Sequence, residues 1–145
     1  MRQVMKLEID SIPSNESFAR VVVAAFLTRL NPTMEEVADI KTAISEAVTN
    51  AIIHGYQNEV HKIEIESWVE GNVFTVSVKD FGVGIEDVPK AMEPLYTTRR
   101  DLERSGMGFV FMEAFMDTVQ VISKKNEGTT VIMSKKIGRR YEKQG

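Results

Sequence analysis

"KIEIESWVEGNVFTVSVKD", residues 62–80, is the stretch that decides the fold class. Ile63, Ile65, Ser67 and Val69 alternate with Glu64, Glu66, Trp68 and Glu70, the period of a strand with one buried face. Gly71-Asn72 makes a two-residue hairpin turn, and Phe74, Val76, Val78 and Asp80 share one face of the returning strand. Upstream the period is helical. "NPTMEE" (31–36) pairs Thr33 with Glu36 three residues on, a capping box opening a helix expected to reach "HGY" (54–56), where Gly55 can end it. Before it, "VMKLEI" (4–9) alternates as a strand, "SIPSNES" (11–17) supplies turn and cap residues, and "FARVVVAAFLTRL" (18–30) has helical length despite its valines. Only Arg20 is charged between Phe18 and Leu27, so this helix is expected to bury more than one face, against its own sheet and against another subunit.

Downstream, "DFGVGI" (80–85) breaks the strand pattern, "EDVPKAME" (86–93) suits a short helix, and residues 94–105 form a polar loop carrying Thr97, Thr98, Arg99, Arg100 and Arg104. "GFVFMEAFMD" (108–117) reads as an apolar helix, followed by strand "TVQVIS" (118–123), a turn, and strand "TTVIMSKKI" (129–137). Helices first and hairpin-linked strands after them predict an α+β two-layer sandwich, its sheet covered by helices on one face. Residues 1–137 are expected to form one domain and 138–145 a basic tail.

The 145 residues, 43% of them hydrophobic, suffice for one core and leave little room for a second. A net charge of -3 gives no basic field, so a direct nucleic-acid partner is not expected. The chain has no cysteine, which excludes thiol catalysis, disulfides and Cys-based zinc sites. No apolar run approaches the roughly 20 residues that span a bilayer, and the start does not form a signal-peptide core, so the expected compartment is the cytoplasm, away from membranes.

Within "SEAVTNAIIHGY" (45–56), Glu46, Asn50 and His54 are spaced by four and fall on one helical stripe. A polar triplet alone is most simply a solvated face. Here the flanking Ala43, Ile44, Ala47, Val48, Ala51 and Ile52 make the helix too apolar to lie loosely on the surface, and a pocket facing the stripe is the better reading. A glutamate there can polarise a hydroxyl, and an asparagine is a neutral oxygen ligand suited to Mg2+. Two histidines in the chain do not build a zinc site. Asp80 closes a strand before Gly82 and Gly84, while Gly106 and Gly108 in "RSGMGF" (104–109) lead into a helix whose free amides can receive phosphate. Neither glycine pair fits a dinucleotide fingerprint, and each alone is equally a plain turn.

Taken in order, "EAVTNAIIHG" (46–55), "DFGVGI", "RSGMGF" and "EGTT" (127–130) resemble the N, G1, G2 and G3 boxes of the GHKL superfamily of ATP-binding domains. "NESFAR" (15–20) and "ERSGMGF" (103–109) are further similar to the anti-sigma factor serine kinases within it. The resemblance implies a Bergerat fold with a mixed sheet, ATP or ADP between helices and sheet, and residues 94–105 as a lid. It implies Glu46 as the base for a serine hydroxyl, Asn50 as the Mg2+ ligand, Asp80 as acceptor for the adenine amine, and Thr130 beside the base. Gly82 and Gly84 would lie close to the nucleotide. His54, Thr97, Thr98 and Ser105 would join the nucleotide site, Gly106 and Gly108 would cradle phosphates, and Arg104 would neutralise the transferred group, with Arg99 and Arg100 as rivals. The implied partners are a sporulation sigma factor of the sigma F type, an antagonist (anti-anti-sigma) protein as phosphorylation substrate, and a second copy of the chain. Arg20 is the candidate partner contact, with an ordinary solvent-facing arginine as the plainer account. Two departures are local: Phe81 replaces a more usual acid, and "NEVHK" (58–62) a more turn-like segment. A binding module whose nucleotide chiefly sets conformation remains the second reading.

Overall fold

The computed structural model describes residues 2–93 and 108–138. The expected roles of Thr97, Thr98, Arg99, Arg100, Arg104, Ser105 and Gly106 fall outside the described residues, as does most of the basic tail.

Five strands, β1 (Gln3–Asp10), β2 (Lys62–Glu70), β3 (Val73–Asp80), β4 (Thr118–Lys124) and β5 (Gly128–Lys136), form one sheet in the order β1-β2-β3-β5-β4. Every one of these pairings is antiparallel, where the family resemblance implies a mixed sheet. Hairpins dictate this for β2–β3 and β4–β5, because a short turn returns the chain along its own path. The turn between β2 and β3 is Gly71-Asn72, with Gly71 at φ +60 and Glu70 paired to Val73. A positive φ at the first central position alone is the type II′ pattern that matches the twist of the flanking strands.

The helices α1 (Ser14–Leu27), α2 (Met34–Asn50), α3 (Val88–Ala91) and α4 (Gly108–Phe115), a single 3-10 turn at Thr28–Leu30 and a widened helical turn at Ala51–Gly55 complete the described elements. Helix α2 starts at the expected capping box: Thr33 Oγ1 accepts the Glu36 amide at 3.0 Å and Glu36 Oε1 accepts the Thr33 amide at 2.8 Å. The second oxygen of Glu36 takes the Gly138 amide at 2.9 Å, so one cap also fastens the chain after β5.

Alternation places Ile63, Ile65, Phe74, Val76, Val78, Val131 and Met133 on the helix-facing side of the sheet, all buried. Against them α2 buries Ile40, Ala43, Ile44, Ala47 and Val48, a stripe at helical spacing. Helix α1 buries Ala19, Val23, Phe26 and Leu27 but leaves Phe18 and Val21 exposed, so among the described residues one of its faces is covered and the other is not.

Candidate functional site

Helix α2 does not run regularly to Gly55. It stops at Asn50, and Ala51–Gly55 form a wider turn closed by the Tyr56 amide on the Ala51 carbonyl at 2.9 Å. Such one-turn widenings are rare and recur at functional sites. Gly55 therefore does not end the helix by left-handed geometry. Its carbonyl turns out to accept the Val83 amide at 2.9 Å, which joins the end of α2 to the loop after β3.

That junction explains the glycines. A Cβ on Gly82 would sit 1.9 Å from the Gly55 carbonyl oxygen, so only glycine lets the two backbones meet. Gly84 has φ +74, and a Cβ there would lie 2.0 Å from the Lys124 carbonyl oxygen. The closeness expected between these glycines and a nucleotide is, in Gly82, a closeness of backbone to backbone.

Tyr56 locks the same junction from behind. Its hydroxyl donates to the Lys62 carbonyl and accepts the Phe81 amide at 2.8 Å. Burial pushes its phenol up, the Phe81 bond offsets this in part, and the Asp80 charge adds to the rise.

A cleft of about 840 Å³ opens between α2 and the sheet, within the size range of small-molecule sites. Asn50 and His54 line it from the helix side, Asp80, Thr129 and Val131 from the sheet, and Gly108 from the start of α4. The first described residues of α4, Gly108, Phe109 and Val110, thus line the cleft. Gly84 lines it as well, whereas Gly82 does not. Glu46 stands half-buried one turn before Asn50 and outside the cleft lining.

Asp80 is only 5% exposed, and its Oδ1 accepts the Gly82 amide at 2.9 Å. Burial pushes its carboxyl up to about 6, although the Gly82 and Thr129 amides favour the charged form. Cross-strand pairing sets Asp80 opposite Thr129 and Lys79 opposite Thr130. The threonine beside Asp80 is therefore Thr129, and Thr130, expected there, belongs to the opposite face of the sheet, because neighbouring residues of a strand alternate sides. The signal that could have found it is the pairing register.

Arg20 lies on α1, away from the cleft. Its guanidinium reaches Ser17 Oγ at 3.2 Å and Glu16 at 3.6 Å, between the exposed Phe18 and Val21. Among the described residues, no group of three acidic, His or Cys side chains is placed to hold a metal, and no helix is long and apolar enough to cross a membrane.

The model of the histidine kinase-like ATPase domain matches residues 11–135. Curated anti-sigma F factors are similar over nearly their whole length: 59% identity in Clostridium botulinum (strain Eklund 17B), covering 91% of this chain and 93% of that protein. The anti-sigma F factor of Clostridium kluyveri is 56% identical, covering 90% and 92%, and that of Oceanobacillus iheyensis 51%, covering 96% of both. The chain belongs to the histidine kinase-like ATPase family, among the anti-sigma F factors. Its fold is shared with the RsbU and RsbW domains of Rv1364c from Mycobacterium tuberculosis, at TM-score 0.66 and 21% identity over 93% of this chain and 32% of that one. The catalytic domain of the histidine kinase ThkA is a further structural neighbour, at TM-score 0.56 and 18% identity over 92% of this chain and 96% of that one. Family membership implies ATP or ADP binding and kinase-type ATPase activity.

Proposed function

We propose that the protein is a cytoplasmic anti-sigma factor and ATP-dependent protein serine kinase. It sequesters a sporulation sigma factor of the sigma F type and phosphorylates a serine of the antagonist protein that displaces it. The observation that carries this reading is the match to anti-sigma F factors along nearly all of both chains, and the cleft lined by Asn50, Asp80 and Gly108 supports it. In this reading adenine reaches Asp80 and the phosphates lie toward the α4 N-terminus and Asn50. Glu46 takes the serine proton as the serine oxygen bonds to the γ-phosphorus, and the bond to the β,γ-bridging oxygen breaks to release ADP. Arg104 is proposed to stabilise charge on the transferred group.

Asn50 fits Mg2+ because its side chain lines the cleft with a neutral amide and, among the described residues, no group of three acidic, His or Cys side chains is placed to hold a metal, which suits an ion held mainly by phosphates and water. The bound ion would supply charge neutralisation at the phosphates. Asn50→Ala is expected to weaken ATP binding in Mg2+ and to bind as the parent does once the ion is chelated. Equal effects with and without Mg2+ would remove Asn50 from the metal site. The chain is proposed to act as a homodimer, as its partly uncovered α1 allows.

Glu46 standing outside the cleft lining favours one second reading, a nucleotide-gated sigma-binding module with little turnover. Incubation with labelled ATP and the antagonist, followed by phosphoamino-acid analysis, separates the two. Labelled phosphoserine is expected. Nucleotide-dependent binding without transfer would overturn the kinase reading.

A further inference from the structure

Behind the cleft wall a short chain of hydroxyls runs from β4 into the site. Ser123, half-buried on β4, belongs to none of the motifs considered above. Its Oγ lies 3.0 Å from the Gly128 carbonyl, 2.7 Å from the Ile85 amide nitrogen and 2.7 Å from Thr129 Oγ1. A hydroxyl gives one proton and receives on two lone pairs. The Gly128 carbonyl can only accept, so it takes the Ser123 proton. The Ile85 amide can only donate, so it fills one lone pair. The remaining contact must then carry the proton of Thr129, directed from Thr129 to Ser123.

Thr129, 8% exposed in the cleft lining, is left with lone pairs alone to offer a ligand. Asp80 beside it, when ionised, also offers only acceptors, two of its bonds being taken by the Gly82 and Thr129 amides. This end of the cleft therefore complements an exocyclic amine, whose two N–H groups can meet both acceptors, and opposes a carbonyl oxygen at the same position.

We propose that Ser123 is a positioning residue for purine selection: by holding the Thr129 hydroxyl proton away from the cleft it keeps Thr129 an acceptor beside Asp80, so that the site takes a 6-aminopurine nucleotide and rejects a 6-oxopurine one. The proposal rests on the assignment of Asp80 to the base. A site whose polar groups are matched to one edge rejects the mismatched edge strongly, because buried acceptors facing another acceptor go unpaired. Ser123 itself touches no nucleotide and acts through Thr129.

The test compares affinities for ATP and inosine triphosphate by displacement of a fluorescent nucleotide. The parent is expected to prefer ATP by roughly 10- to 100-fold. In Ser123→Ala the Thr129 hydroxyl is released to rotate and donate, so the preference falls about tenfold, mostly through tighter binding of inosine triphosphate. Ser123→Thr restores the parental ratio. In a Thr129→Val background, Ser123→Ala changes the ratio no further, since the two act as one unit. Ser123→Cys, a weak acceptor of similar size, replaces the alanine variant if that chain does not fold. An unchanged ratio, or equal weakening of both nucleotides, overturns the role of Ser123 and leaves the base assignment standing. A parent that binds both nucleotides equally overturns both.

Discussion

At the Asp80 end of the cleft the chain is packed backbone against backbone. Gly55 O meets Val83 N at 2.9 Å, the Asn126 amide reaches the Val83 carbonyl at 2.6 Å, and Gly82 and Gly84 fill spaces where a single extra carbon would collide with a carbonyl. At the Asn50 end the functional groups are side chains on one stripe of α2, together with the first described turn of α4 at Gly108. The first end is specified by main-chain geometry, the second by replaceable side chains on a helix whose other face is core. Substitutions at the first should therefore strike folding and binding together, and substitutions at the second should strike chemistry or metal-dependent nucleotide binding while leaving folding intact.

The largest expected effect is at the side-chain end. Glu46→Gln keeps volume and helix propensity but removes the base, so phosphotransfer to the antagonist is expected to fall about 10²- to 10⁴-fold with ATP affinity nearly parental. Equal loss of affinity and turnover would make Glu46 structural and collapse the contrast. Next comes Gly82→Ala, whose Cβ would enter to 1.9 Å of the Gly55 carbonyl oxygen, with backbone on both sides. Overpacking of this kind costs about 3 kcal/mol, read as a lower urea midpoint at unchanged slope, with ATP affinity falling in step. Parental stability would mean that the junction yields easily.

The two ends also differ in how far they can be read from sequence. The placement of Glu46 one turn before Asn50 and the Thr33–Glu36 cap follow from spacings within α2, whereas His54 falls in the widened turn past its end and Glu46 stands outside the cleft lining; the Gly71-Asn72 hairpin follows from a two-residue signal. Asp80 is legible as an acid ending an apolar strand face. Choosing Thr129 over Thr130 requires the pairing of Asp80 with Thr129 across two strands 49 positions apart, which no local pattern reports. The widened turn at Ala51–Gly55 is equally silent, since no local pattern marks it and the loop its end bonds, at Val83, is distant in sequence. Ser123 fits the alternation of its strand and so attracts no notice until its three partners are in place.

Asp80 joins the two kinds of effect. The folded chain holds its carboxyl proton more tightly than the unfolded chain, with a value of about 6 against an ordinary 3.8. Its contribution to stability is thus greatest below about pH 4 and declines as pH rises through 6, by about 3 kcal/mol in all. Asp80→Asn is expected to flatten that part of the stability profile while lowering ATP affinity about tenfold, since an amide donor can face the base's own amine. Urea midpoints across pH 4–7 with ATP titrations at neutral pH check both. A variant that binds ATP as before would place adenine elsewhere, and an unchanged pH slope would assign that slope to another group.

The smallest effect tests whether partner recognition is separate from both ends. Arg20 is partly exposed, and its pairing with Glu16 is a surface ion pair of the kind that contributes little to stability. Its flanks, Phe18 at 50% and Val21 at 60% exposure, are apolar groups on a helix face left exposed among the described residues. Aromatic, aliphatic and arginine side chains together are the composition of an interface core rather than of ordinary surface. Sigma factor and antagonist, if they compete for this face, should both meet the guanidinium. Arg20→Glu is therefore expected to weaken each about three- to tenfold by reversing the charge at the contact, mainly through slower association at low salt. No residue of α1 lines the cleft, so ATP affinity should not move. Measured on one preparation, unchanged affinity for both proteins would return Arg20 to plain surface, and a matching loss of ATP affinity would show that α1 and the cleft are not separate after all.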